Sequence, residues 1–93
     1  MKVENMTGRT GREVANQFII HGKHYGQIGK FFQSYNTVIA FKPSNGSSIT
    51  IDNYVVKNPS KTTLKYLSQF LGHGIAETRK RINSGEYILA NLN

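Results

Sequence analysis

The sequence has no cysteine, no tryptophan, two prolines and five acidic residues in 93 positions. The lack of cysteine excludes a disulfide scaffold, a thiolate zinc site and a cysteine nucleophile, and fits an intracellular protein. Asp52 is the one aspartate, and the four glutamates are scattered, so the clustered acids that hold catalytic divalent metal are missing. No Ser-His-Asp order and no phosphate-cradling P-loop occurs. The expectation is therefore no enzyme, no cofactor, no metal site and no small-molecule substrate. No apolar run approaches the ~18 residues of a membrane span, and the polar N-terminus lacks the pattern of a signal peptide. These absences predict a cytoplasmic protein with no membrane partner.

What is present is positive charge. Twelve Lys and Arg against five acids give +7 at neutral pH, which excludes an acidic DNA mimic and points to polyanionic partners. Leu, Ile, Val and Phe supply 24 residues, and Tyr and Phe together ten. That is enough apolar bulk for one small core and no second domain.

Residues 1–12 are polar and carry the tandem Thr7-Gly8-Arg9 and Thr10-Gly11-Arg12, predicting a flexible basic arm before a single domain over 13–93. Apolar stretches then predict strands over Asn16–His21, Gln27–Ser34, Thr37–Lys42 and Ser48–Asp52. Within the third of these, strict alternation sets Val38 and Ala40 on one face and Ile39 and Phe41 on the other. Gly29 signals a bulge or a close backbone approach, and Pro43-Ser44-Asn45-Gly46 a hairpin turn. Tyr54-Val55-Val56 either extends the last of these strands or folds over the core. Pro59 disfavours helix at Asn58. Leu64, Leu67 and Leu71, with Tyr66 and Phe70, predict a helix over Lys61–Leu71 capped by Ser60 and Gly72. A second helix over Ile75–Asn83 has a narrow inward stripe of Ile75, Thr78 and Ile82, and Tyr87–Leu92 reads as a short strand rejoining the sheet. The fold class is α+β: a small antiparallel sheet of about four to five strands, a C-terminal helical pair and a short closing strand.

The candidate binding surface is a Lys/Arg face on those helices. Lys61, Lys65, Ser68 and Gln69 lie opposite the leucines, Lys57 one turn earlier, and Arg79, Lys80 and Arg81 on the next helix. Such a face would neutralise phosphates and release counterions. Arg9 and Arg12 would order the arm along a groove or an RNA backbone. The two helices also invite a helix-turn-helix reading, although Thr78 and Arg81 fall where branched aliphatics belong; the alternative is a helical hairpin capping a sheet. Gly8-Arg9-Thr10-Gly11 matches the spacing of a G-x-x-G backbone clamp but lacks the helix that should precede it. His21 and His24 form an H-x-x-H pair, but His73 is far away in sequence and only five carboxylates exist to complete a set of three or four ligands, so no metal centre is expected. In the sheet, Tyr25, Phe31, Phe32, Tyr35 and Tyr54 interleave with Lys23, Lys30 and Lys42, a pattern that suits base stacking or a core.

Val14-Ala15-Asn16-Gln17-Phe18-Ile19-Ile20 with Phe32-Gln33-Ser34-Tyr35, Thr62-Thr63-Leu64-Lys65-Tyr66-Leu67 with Phe70-Leu71-Gly72, and Gly85 to Asn93 carry a resemblance. Together they resemble small uncharacterised proteins encoded by phages and mobile elements of low-GC Gram-positive bacteria. The resemblance transfers no site residue, and implies an accessory role in a bacterial host cell, as a regulator or as an inhibitor of host defence such as an anti-CRISPR protein. Two functions are therefore expected. One is a non-enzymatic nucleic-acid-binding accessory protein. The other is an inhibitor of a host nucleoprotein complex, docking through Tyr25, Tyr35 and Tyr54 and contacting protein or guide RNA. A homodimer is left open.

Overall fold

The computed structural model describes residues 2–8, 10–57 and 60–93. Six strands, β1 (Lys2–Thr7), β2 (Glu13–His24), β3 (Gln27–Ser34), β4 (Thr37–Pro43), β5 (Thr50–Asp52) and β6 (Ile88–Ala90), form one sheet in sequence order. The first five are an antiparallel meander. Between β5 and β6 run α1 (Asn53–Lys57), α2 (Lys61–Leu71) and α3 (Ile75–Asn83). This excursion lets β6 return parallel to β5, as a crossover must. The architecture is the α+β arrangement expected, with one strand more.

The extra strand is β1. Lys2–Thr7 are not an arm, because Met6 is buried in the core and Val3, Glu4 and Asn5 pair with Ile20, Ile19 and Phe18. A polar segment with one inward methionine gives little local signal, and its place comes from pairing with the long β2. The Thr7–Arg12 connection is a turn in which the Gly8 N–H donates to the Arg12 carbonyl at 2.8 Å and the Gly11 N–H to the Gly8 carbonyl at 3.0 Å. Both glycine amides are thus spent inside the turn, which removes them from the G-x-x-G clamp.

Two hairpin turns set the register of the central strands. At Tyr25-Gly26 both residues have positive φ, 49° and 79°, as a type I′ turn requires, and His24 therefore faces Gln27. At Tyr35-Asn36 the Ser34–Thr37 pair closes the next hairpin. A β-bulge then slips the β3–β4 pairing by one residue: Gln33 faces Val38, but Phe32 faces Ala40. The alternation expected in β4 fails here, since Ile39 and Ala40 both join the core.

The helices cover one sheet face. Leu64, Leu67, Phe70 and Leu71 of α2 and Val55 of α1 pack on Phe32, Ile39, Ala40 and Ile51, with Met6 and Tyr87 at the margins. Phe70 stacks on Phe32 at 5.8 Å between centroids. Both caps of α2 form: the Ser60 hydroxyl accepts from the Thr63 N–H at 3.1 Å, and Gly72 takes φ 86°. Tyr54-Val55-Val56 belongs to a helix, α1, whose Tyr54 N–H donates to the Asp52 carboxylate at 2.9 Å. Ser68, expected on the outer face, is buried. Its hydroxyl lies 2.7 Å from that of Thr78, which is itself buried and bonded to the Gly74 carbonyl. This hydroxyl pair explains why α3 needs no aliphatic at position 78: two small, mutually satisfied polar side chains let the helices approach closely. α2 and α3 are the helical hairpin on a sheet. Among the described residues no helix is long and apolar enough to cross a membrane.

Candidate nucleic-acid interface

Of the cations expected on the helices, Lys65 and Arg79 line different clefts and Arg81 is paired with carboxylates. Lys61 and Lys65 are exposed on α2, and Lys65 sits 5.3 Å above the Tyr66 ring. Lys57, Arg79 and Lys80 are exposed as well, but Arg79 lines a separate cleft with Val55, Val56, Leu64 and Ile82, between α1 and α3. Arg81 is occupied. Its Nε donates to Glu77 Oε1 at 2.9 Å and its Nη1 to Glu86 Oε2 at 3.2 Å, so it offers little net charge to a phosphate or a base edge. Arg12 is exposed in the β1–β2 connection, and Arg9 lies outside the described residues.

A second set of cations, on the sheet, is brought together instead. Lys2 faces His21, His21 faces Lys30, and Lys30 faces Lys42. Facing residues project to the same side of a sheet, so these four form one transverse row over β1–β4. The row lies on the helix side, just beyond the end of α2. Lys30 and Lys42 line a cleft of about 390 Å³ there with Met6, Ile19, Gln69 and Phe70. Lys23, two residues along β2 from His21, borders the adjoining cleft with Lys2, His21 and Lys30. Gln69 also lines the neighbouring cleft with Thr7, Gly8 and Lys65, and its amide donates to the Thr7 carbonyl at 2.7 Å. The row and Lys65 thus belong to one surface, joined at Gln69.

Electrostatically the two ends of the row differ. Glu4 sits between Lys2, at 2.9 Å, and His21 Nε2, at 3.5 Å. Hydrogen bonding to Lys2, and then to His21, holds the Glu4 carboxyl below the usual range. Lys30 and Lys42 take part in none of the ion pairs among the described residues. Like charges directly opposite one another on a sheet are destabilising, and an anion lying between the two ammonium groups removes that cost.

The aromatic and basic residues that interleave in sequence are sorted to opposite faces. Phe31 and Phe41 pack at 4.7 Å on the helix-free face, with the His24 ring 5.1 Å from Phe41, while Phe32 is in the core. A strand of bases stacked on Phe31 would therefore have no lysine of the row beside it. Tyr25 is 94% exposed at the β2–β3 turn, Tyr35 is exposed at the opposite, β3–β4 end, and Tyr54 is exposed on α1. The three do not form one patch. The histidines are dispersed too: His21 stands beside Glu4, His24 on the other face, and His73 Nε2 3.2 Å from the Tyr87 hydroxyl. Burial pushes the Tyr87 phenol above its ordinary value.

Glu77, like Glu4, is held below the usual carboxylate range, chiefly by its hydrogen bond to Arg81. A carboxylate whose folded value is depressed stabilises the fold above its unfolded value, and that contribution is lost as pH falls through the folded one. The thermal midpoint is therefore expected to hold steady through neutral pH and to fall below about pH 4.5. In Glu77→Gln the acid limb should be shallower, as read by circular dichroism melts across pH 3–7.

The row was missed in the sequence because its members are separated by 19, 9 and 12 positions and are joined by register alone. No curated protein and no protein of solved structure matches the chain. A family model does match, over residues 1–88, and the chain therefore belongs to DUF8033, a family of unknown function.

Proposed function

We propose that the protein is a non-enzymatic nucleic-acid-binding protein that contacts the phosphate backbone through the sheet row, with Lys30 and Lys42 at its centre and Lys65 extending it. The observation that carries this reading is the pairing of Lys30 against Lys42, without a carboxylate, beside an open cleft. Separation of the lysines from Phe31 and Phe41 favours backbone contact over base stacking, and so an affinity with little sequence preference. The helix cations Lys61 and Lys80 lie outside this row and play a lesser part. The reading as an inhibitor docking through Tyr25, Tyr35 and Tyr54 finds less support, because those rings are dispersed.

The test is fluorescence anisotropy with random-sequence duplex DNA and single-stranded RNA across a salt series. Wild-type protein should bind at micromolar concentration in low salt, and log affinity should fall with log salt at a slope of about −2 to −4. Lys30→Glu with Lys42→Glu should weaken binding at least ~30-fold and flatten the slope, with an unchanged melt. Lys61→Glu with Lys80→Glu should cost only a few-fold. Equal affinity for wild type and the Lys30/Lys42 variant would overturn the assignment.

A further inference from the structure

We infer that two copies of this chain associate through the helix-free faces of their sheets. An antiparallel sheet with one face in water ordinarily places polar residues on that face. Here the row one residue away from the lysines, pointing to the other side, is Val3, Ile20, Phe31, Phe41, Thr50 and Ile88, crossing all six strands. Val3 and Ile88 at its ends are 59% and 52% exposed, Ile20 and Phe31 are half-buried, and Phe41 and Thr50 are covered. The flanking rows are Asn5, Phe18, Gln33 and Val38 on one side and Gly22, Gly29 and Pro43 on the other. None of these positions carries Lys or Arg, and Asp52, two residues along β5 from Thr50 and so on the same face, is buried with its carboxylate engaged by Tyr54, Leu92 and Asn93.

That lack of cations, with the one carboxylate engaged, points to the occupant. A nucleic acid or an anionic membrane surface needs cations, and this face has none to give. Two copies at +7 each repel wherever their basic surfaces meet, whereas here they can touch without apposing like charges. The dimensions also fit. Six strands at ~4.8 Å spacing and an eight-residue β3 give a face of roughly 24 by 26 Å. Its footprint of about 600 Å², increased by side-chain relief, is near the ~800 Å² per partner of a standard interface. The two sheets would lie ~10 Å apart as a sandwich. The Lys30–Lys42 rows, on the helix sides, would then face outward in opposite directions.

Sedimentation equilibrium of the full chain tests this independently of any nucleic acid. At about 100 µM the mass should be twice the 10.5 kDa of one chain. Ile20→Lys should weaken association at least tenfold with its melt retained. Ile88→Lys, at a more exposed position, should do the same and keeps the test open if Ile20→Lys fails to fold. Ile20 lies on an interior strand, so a dimer formed by edge pairing of β1 would survive its substitution. A wild-type monomer at all concentrations, or a dimer that persists in the folded variants, would overturn the inference. Loss of DNA binding in the Lys30/Lys42 variant leaves the mass unchanged, so the two readings fail separately.

Discussion

Replacing Asp52 by Ala is expected to destabilise the protein by about 3–4 kcal/mol, lowering the thermal midpoint by on the order of 15 °C. Asp52 ends β5 and is buried. Its Oδ1 accepts from the Tyr54 N–H at 2.9 Å, and its Oδ2 accepts from the Leu92 N–H at 2.6 Å and the Asn93 amide at 3.1 Å. Asn93 in turn bonds both the N–H and the carbonyl of Val38. One carboxylate therefore ties the start of α1 to the chain after β6, closing the crossover against β4. Hydrogen bonds to a charged group contribute about 1.5–3 kcal/mol each, and the donors left behind in partial burial add to the loss. Asn in place of Asp keeps the shape but turns an N–H₂ toward one of the donors, so Asp52→Asn should recover less than half. Hydrogen exchange should show Ile88–Ala90 losing protection first. An Asp52→Asn variant as stable as wild type would show that shape, not acceptor capacity, matters there.

Gly29→Val should cost about 3 kcal/mol, and Gly29→Ala about half as much. The reason is space and not backbone conformation. A Cβ at Gly29 would lie 2.8 Å from the Phe41 ring and against the Lys42 carbonyl. Phe41 is buried and held between Phe31 and His24, so its ring has little room to withdraw, and the carbonyl belongs to the β3–β4 ladder. The strain falls at the point where Lys30 and Lys42 are set opposite each other, so the nucleic-acid affinity proposed above should fall along with stability. Pairing Gly29→Ala with Phe41→Leu shortens the obstructing side chain. In a double-mutant cycle by chemical denaturation it should recover part of the loss, whereas strictly additive losses would place the conflict at the Lys42 carbonyl.

Much of this fold was legible because its signals are local. α2 and α3 begin and end where the leucine spacing, Ser60 and Gly72 place them, and β3 runs from Gln27 to Ser34 as its composition suggests. The close backbone approach expected at Gly29 is there, made by the Lys42 carbonyl with the Phe41 ring beside it. β1 was not legible, because five of its six side chains are polar or exposed and only pairing with β2 orders it. The burial of Ser68 and Thr78 was also hidden, since each hydroxyl has a carbonyl acceptor four residues back in the chain as well as the other hydroxyl across the helix pair. For Arg81 one partner was legible, Glu77 four residues earlier on the same helix, whereas Glu86 reaches it only because the chain turns back after Ser84.

The sequence by itself determined the α+β class, the limits of α2 and α3, the turn after Pro43 and a surplus of positive charge without acids to match it. Each of these rests on composition or on residues within a turn or two of one another. The tertiary structure alone decided where that charge collects. Without the bulge at Ile39, Lys30 would face Phe41 and the two faces of β4 would be exchanged. The one inserted residue sets Lys42 beside Lys30 on the helix side and Phe41 beside Phe31 on the other, because side chains alternate with period two and a single slip inverts every position beyond it.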